Sequence, residues 1–316
     1  MITAATEHSG STAPPPSGRQ FRIAHGEHRA VVTQVGATLR ACTLAGRKVI
    51  DGFDIRHHAS DGRGQVLAPW PNRLAAGTYT FGGRECRAPL NEPERGDAIH
   101  GLVRWLDWVA AEHSSEQVVL DCVVRPQPGY EWQLDLRVGY RLAEDGLTVF
   151  TTVVNSGAEA APFGLGFHPY LTLGCRIDPL ELTVPADCHL PPSADPDRPP
   201  IPAGVSGAQL DFRTPGPIGA AHLDTAFGGL RRGDDGRAVA TLFDPGGAGR
   251  VSLWVDESFP YLMVYTGDDV EKPERRREAV AIEPMTCPPQ AFRSGTDVVT
   301  LMPGGSWRGT WGLTAG

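Results

Sequence analysis

The sequence predicts an all-β protein, a large antiparallel assembly in the form of a sandwich or barrel. Short runs of β-type residues follow one another, and Gly, Pro and Asp punctuate them. Long helical periodicity is nearly absent, and the candidates, such as 270–278, are short and polar. Together these patterns point to antiparallel meanders rather than to crossovers.

In chain order, the first strands fall in AVVTQVGATLRACTL (30–44) and GRKVIDGF (46–53). QVVLDCVVRP (117–126) follows, then WQLDLRVGYRLAEDGLTVFTTVVNSG (132–157), in which Asp145-Gly146 between two runs reads as a hairpin turn. RAVATLFDP (237–245), RVSLWVD (250–256) and YLMVYTG (261–267) have the same grammar. Residues 185–220 are rich in Pro and Gly and read as a long surface excursion within one domain, a two-domain split being the alternative. Residues 1–19 are Ser-, Pro- and Gly-rich and read as a disordered tail, with a single domain expected over 20–316.

A chain of 316 residues buries a sizeable core, and 41% hydrophobic with 21% charged residues is a globular composition. The net charge of −8 argues against a nucleic-acid or anionic membrane partner. Six widely spaced cysteines with no C-x-x-C pair suggest neither a zinc site nor a disulfide scaffold. With no signal-like or membrane-length apolar run, a reduced, cytoplasmic protein is expected. Lys48 and Lys272 are the only lysines, which weighs against Schiff-base chemistry.

Four clusters place reactive side chains at strand ends or turns. Asn72 and Arg73 follow Pro69 and Pro71; His100 lies between Ile99 and a Gly; His168 lies between Phe167 and Pro169. Glu283 ends the apolar run Ala279–Ile282 and is followed by Pro284. Each has an ordinary explanation: a core or rim histidine, a turn-closing arginine, a wet strand end. Asp224 reads equally as a turn acceptor, and His57-His58 as surface. As a set, two histidines and a carboxylate beside apolar runs suit proton transfer to and from oxygen. Nothing suggests a Walker loop, a dinucleotide fingerprint or an activated Ser or Cys nucleophile, and no H-x-H or H-x-x-x-H pair accompanies a carboxylate at ligand spacing.

At these clusters the chain resembles the aldose 1-epimerase (galactose mutarotase) family. The segments PWPNRLAAGTYTFGG, AIHGLVRWLDW, FHPYLTL, LDTAF, VYTGD, VAIEPMTCPPQAF and LMPGGSWRGTWGL carry the resemblance, in order, from about Phe21 to Leu313. It implies a galactose mutarotase-like antiparallel β-sandwich with an open sugar cleft, and an isomerase that interconverts the α and β anomers of a free hexose such as galactose or glucose. It further implies Glu283 as catalytic base, His168 as acid and His100 as a second histidine near the ring oxygen. Arg73, Asp224 and the adjoining Asn72 correspond to sugar-binding positions, and no cofactor is required. Trp70, Trp105 or Tyr170 offers an apolar face to the pyranose, core packing being the alternative for each.

The chain departs from the family pattern twice. The run at the acid histidine is Gly166-Phe167-His168-Pro169-Tyr170-Leu171, without the usual Asn residues, and Met263 stands where well-studied members carry a sugar-contacting Gln. A thioether does not replace an amide's hydrogen bonds, so the choice of sugar is open. A hexose 6-phosphate substrate, served by Arg95, Arg104 or Arg275–Arg277, and a non-catalytic sugar sensor are the alternatives. A monomer or homodimer with a small-molecule sugar as its partner is expected.

Overall fold

A computed structural model describes residues 14–193, 195–207 and 209–316. Residues 1–13 of the expected tail lie outside this range. From Pro14 the chain is described, and the buried Ser17 accepts the Val35 N–H through its carbonyl at 3.1 Å.

Among the described residues, two large antiparallel sheets form the body of the fold. A nine-stranded sheet is built on the meander Gln117–Val124, Leu134–Ala143 and Gly146–Asn155, with Val109–His113 on its outer edge. It continues through the C-terminal strand Ser306–Ala315 to Gly249–Val255 and Ala238–Asp244. The hairpin closes where Ala143 pairs with Gly146, at the expected Asp145-Gly146 turn. The second sheet runs in the order Ala203–Gly204, Ala186–Leu190, Asp224–Leu230, Tyr261–Tyr265, Val280–Met285, Gly166–Phe167, Val66–Leu67. Inner side chains of both sheets share one apolar core, and the Phe167 and Trp311 rings meet across it at 5.2 Å. The all-β sandwich expected from the sequence is the observed fold.

Three local expectations need correction. The helical candidate at 270–278 is a single 3-10 turn, Pro273–Arg275, because Pro273 starts it and nothing buries a face of it. Residues 185–220 are not only a surface excursion: Ala186–Leu190, Ala203–Gly204 and Gly216–Pro217 are strands in the two sheets, and the proline-rich 191–193 and 195–200 lie outside any strand. The apolar run at 279–282 does not stop at Glu283. The strand Val280–Met285 passes through Glu283 and Pro284, all six residues buried. Pro284 still sits opposite Leu262 in the register, and its missing N–H is a donor the strand does without.

Candidate active site

Period-two alternation decides which face each functional side chain takes. In Val280–Met285, Val280 and Ile282 enter the sandwich core, while Ala281 and Met285 belong to small clusters on the opposite face. Glu283, between them by that period, shares the opposite face. The neighbouring strand repeats the division, with Leu262 and Val264 inward and Tyr261, Met263 and Tyr265 outward. Phe167 likewise enters the core, so His168 and Tyr170 cannot follow it in that direction and line the cleft.

The outward face forms the floor of a cleft of about 480 Å³. At its centre His168 Nε2 lies 3.3 Å from Glu283 Oε1, both residues buried. Glu283 Oε2 is buried with no hydrogen-bond partner among the described residues, an unmet acceptor in a polar cleft. Burial raises the Glu283 carboxyl well above its ordinary range, Asp224 adds to that, and Arg73 opposes it. Burial lowers the His168 imidazole, and Arg63 and Arg104 lower it further. Both groups are therefore pushed toward their neutral forms, the state in which the pair holds one proton.

His100 sits against this pair, its ring edge-on to His168 with centroids 5.3 Å apart. The Asn72 N–H donates to His100 Nδ1 at 3.1 Å, and the His100 N–H donates to the Asn72 carbonyl at 2.9 Å. The first bond sets the tautomer: a neutral ring carries its proton on Nε2 as a donor. Burial, then Arg104, His168 and Arg73, keep its pKa well below the usual value. Both Asn72 (φ 56°) and His100 (φ 63°) adopt left-handed backbone, strain held by this exchange at the end of the short ribbon Arg73–Ala75 with Asp97–Ile99. Arg73 is gripped by Glu92 through two bonds of 2.8 and 3.0 Å, and its Nη1 lies 3.5 Å from Asp224 Oδ2.

His168 is held from below by a stack the sequence reading missed. Its ring lies parallel to Tyr170, centroids 5.0 Å apart at 9°. The buried Arg63 guanidinium sits 4.4 Å from the Tyr170 centroid and pairs with Asp61 at 2.5 Å and Asp51 at 3.4 Å. The Tyr170 hydroxyl donates to the Asp61 carbonyl at 3.0 Å. Arg63→Met removes a buried cation from Asp61 and from Asp51, which keeps Arg275 and Lys48, and lowers the unfolding free energy by about 2 kcal/mol. Urea denaturation reads this, and a loss below about 1 kcal/mol would show that the pair is dispensable.

Of the residues singled out in the sequence, Asn72, Arg73, His100, His168, Tyr170, Asp224 and Glu283 line this one cleft. Met263 does not; it floors an adjoining hollow. Trp105 stands at the rim, 52% exposed, whereas Trp70 is buried in the core against Phe292. Arg95 and Arg104 line the cleft, but Arg275 is tied to Asp51 and Arg277 to Asp178 and Asp268, outside it. Gly62, Arg63 and Glu92 were missed. An arginine between two glycines before an apolar pair, Gly62-Arg63-Gly64-Gln65-Val66-Leu67, was the available signal for the first two.

Residues 19–314 match a family model described as aldose 1-epimerase. The uncharacterized protein YihR of Escherichia coli (strain K12) is 34% identical over 296 residues, covering 91% of this chain and 90% of its own. Galactose mutarotase of Sus scrofa is 26% identical over 282 residues, 80% of each chain. Among solved structures, the GalM/aldose epimerase homologue from C. elegans superposes with a TM-score of 0.80 at 18% identity, covering 94% of this chain and 98% of its own. Galactose 1-epimerase from Lactobacillus acidophilus NCFM gives 0.72 at 23% identity, covering 93% of each chain. At these identities the two structures speak for the fold alone.

Proposed function

Because the chain belongs to the aldose 1-epimerase family, we propose that it interconverts the α and β anomers of a free hexose by acid–base ring opening and reclosure. The observation that carries this reading is the buried 3.3 Å contact between His168 and Glu283 on the cleft floor. A sugar hydroxyl bonded to Glu283 stabilises the carboxylate and moves the shared proton to His168. Glu283 then takes the proton from the anomeric O1–H while His168 gives its proton to the ring oxygen O5. The C1–O5 bond breaks, O1 becomes the aldehyde oxygen, and rotation about C1–C2 turns the other carbonyl face to O5. Reclosure reverses both transfers, so protons and electrons balance with no added reactant. His100 Nε2–H donates toward the ring oxygen, and Arg73 and Asp224 hold hydroxyls remote from the reacting bond.

Polarimetry and NMR exchange on galactose, glucose and other aldoses test the reading; the relatives named galactose mutarotase make galactose the first sugar to try. No acceleration with any aldose would sink it. Six carboxylates line the cleft against three arginines, and Arg73 is already committed to Glu92. A dianionic hexose 6-phosphate is therefore disfavoured, and glucose is expected to turn over faster than glucose 6-phosphate.

The pH profile follows from the directions of the shifts. The working pair holds one proton. It gains a second on the acid side only when the lowered His168 site fills, below the ordinary imidazole value of 6.5. It loses its proton on the alkaline side only above the ordinary carboxylate range, because Glu283 is raised. The acid limb of kcat/KM therefore belongs to His168 and lies below 6.5, and the alkaline limb belongs to Glu283 and lies well above 4.5. An acid limb centred at the ordinary imidazole value of 6.5 would contradict the buried pair.

A further inference from the structure

The segment 61–65 ties His168 down at several points. The Gly64 N–H donates to the His168 carbonyl at 2.9 Å, and the His168 N–H donates to the Gln65 carbonyl at 3.1 Å. The Asp61 carbonyl accepts the Tyr170 hydroxyl, and the Arg63 guanidinium lies over the Tyr170 ring on which the imidazole is stacked. Arg63 is 1% exposed and does not line the cleft, whereas Arg73 and Arg104 do. It is therefore out of reach of a sugar, yet only the Tyr170 ring stands between its charge and the imidazole.

The surroundings of His168 suit a proton donor. In a hydrolase triad a carboxylate accepts from the ring nitrogen remote from the reaction and stabilises the imidazolium. Here His168 Nδ1 is buried with no hydrogen-bond partner among the described residues. The ionisable groups around the ring are Glu283 at Nε2, His100 at its edge, Tyr170 stacked on it, and Arg63, Arg104 and Arg73. Asp61 and Asp51 pair with Arg63 and offset part of its charge. After burial, Arg63 is still the largest influence against the imidazolium. The ring oxygen of a pyranose is a weak base, so an acid that holds its proton loosely serves it best.

We propose that Arg63 is a positioning residue for the ring opening: acting through the Tyr170 ring, it fixes the imidazole at Glu283 and makes the imidazolium a ready donor to O5. This rests on the anomer-interconverting reading above. Arg63 touches neither the sugar nor a transferred proton, so its effect falls on kcat rather than on KM.

The test uses Arg63→Met, Arg63→Gln and Arg63→Lys in the full chain. NMR exchange on galactose gives kcat and KM across pH. NMR titration of histidine-labelled protein, with His168→Gln identifying the signal, gives the midpoint of the imidazole itself. Both neutral variants are expected to lower kcat about tenfold and to leave KM within about twofold. With the cation gone, the imidazolium is less opposed, so the acid limb moves up by about one pH unit, toward 6.5. Arg63→Lys keeps the charge and is expected to keep the limb within about 0.3 pH unit of the parent. Urea unfolding reports whether each variant is folded, and Arg63→Gln, which retains a donor for Asp61, serves if Arg63→Met is not. A folded neutral variant whose kcat loss comes with an unmoved limb makes Arg63 a structural residue only; that overturns the proposal and leaves the proposed function standing. A limb that rises as far in Arg63→Lys overturns it too, because charge then has no part. If no aldose is interconverted, the catalytic reading fails, and the imidazole midpoint still decides the role of Arg63. A midpoint raised in the neutral variants alone upholds the coupling to His168, and an unchanged one overturns it.

Discussion

Glu283→Gln lowers kcat for anomer interconversion by about 10³–10⁴ and leaves sugar binding nearly intact. The substitution keeps shape and one hydrogen-bonding oxygen but removes the only group in the His168 pair able to take the O1 proton. The site offers no substitute. Asp224 also lines the cleft, but its side chain is 48% exposed and lies beside Arg73 rather than His168. The carboxyl is buried, held toward its neutral form and unpartnered at Oε2, so an uncharged amide of the same shape is expected to leave the variant about as stable as the parent. NMR exchange and calorimetry on the same preparation check both halves. A fall in kcat of less than about tenfold, 1.4 kcal/mol of barrier, would remove Glu283 from the chemistry.

Gly62→Ala lowers kcat by about 10² without touching a group that exchanges protons. Gly62 has φ +74°, and a Cβ there would lie 2.6 Å from His168 Cδ2 and 3.0 Å from Nε2. The imidazole has little room to retreat, being stacked on Tyr170 and edge-on to His100. A shift that relieves the clash takes His168 Nε2 out of its present position 3.3 Å from Glu283 Oε1. The left-handed backbone alone costs about 1 kcal/mol of stability, and Gly82→Ala separates the two effects. Gly82 has φ +57° with nothing within 4 Å of a Cβ, so its variant shares the backbone strain and not the clash. Urea unfolding should show about 1 kcal/mol for Gly82→Ala and a larger loss for Gly62→Ala, and kcat should fall for Gly62→Ala alone. Equal kcat in the two variants would mean that His168 tolerates displacement.

Five strands of the nine-stranded sheet, within 117–126, 132–157, 237–245 and 250–256, were legible because they carry their own alternation and turns, as at Asp145-Gly146. The site residues were legible one at a time, as reactive side chains beside apolar runs. Their meaning was harder to read locally. Glu283 looks like a strand end because Pro follows it, yet the strand continues to Met285, and only the burial of both faces shows that the carboxylate is dry. Pairing at long range hid the rest. Arg63 and Tyr170 are 107 positions apart in the chain and touch only because Tyr170–Leu171 pairs with Val280–Met285 while the 51–65 loop folds beneath it.

By itself, then, the sequence determined the all-β class and the antiparallel hairpins and marked the candidates for acid–base work, since alternation, turn chemistry and side-chain type are local properties. Only the tertiary structure decided that Glu283 and His168 meet at 3.3 Å, that burial drives their pKa values in opposite directions, and that Met263 floors a second chamber. Those outcomes depend on strand register and on what covers each face. Register comes from contacts between segments tens to hundreds of residues apart, which no local pattern encodes.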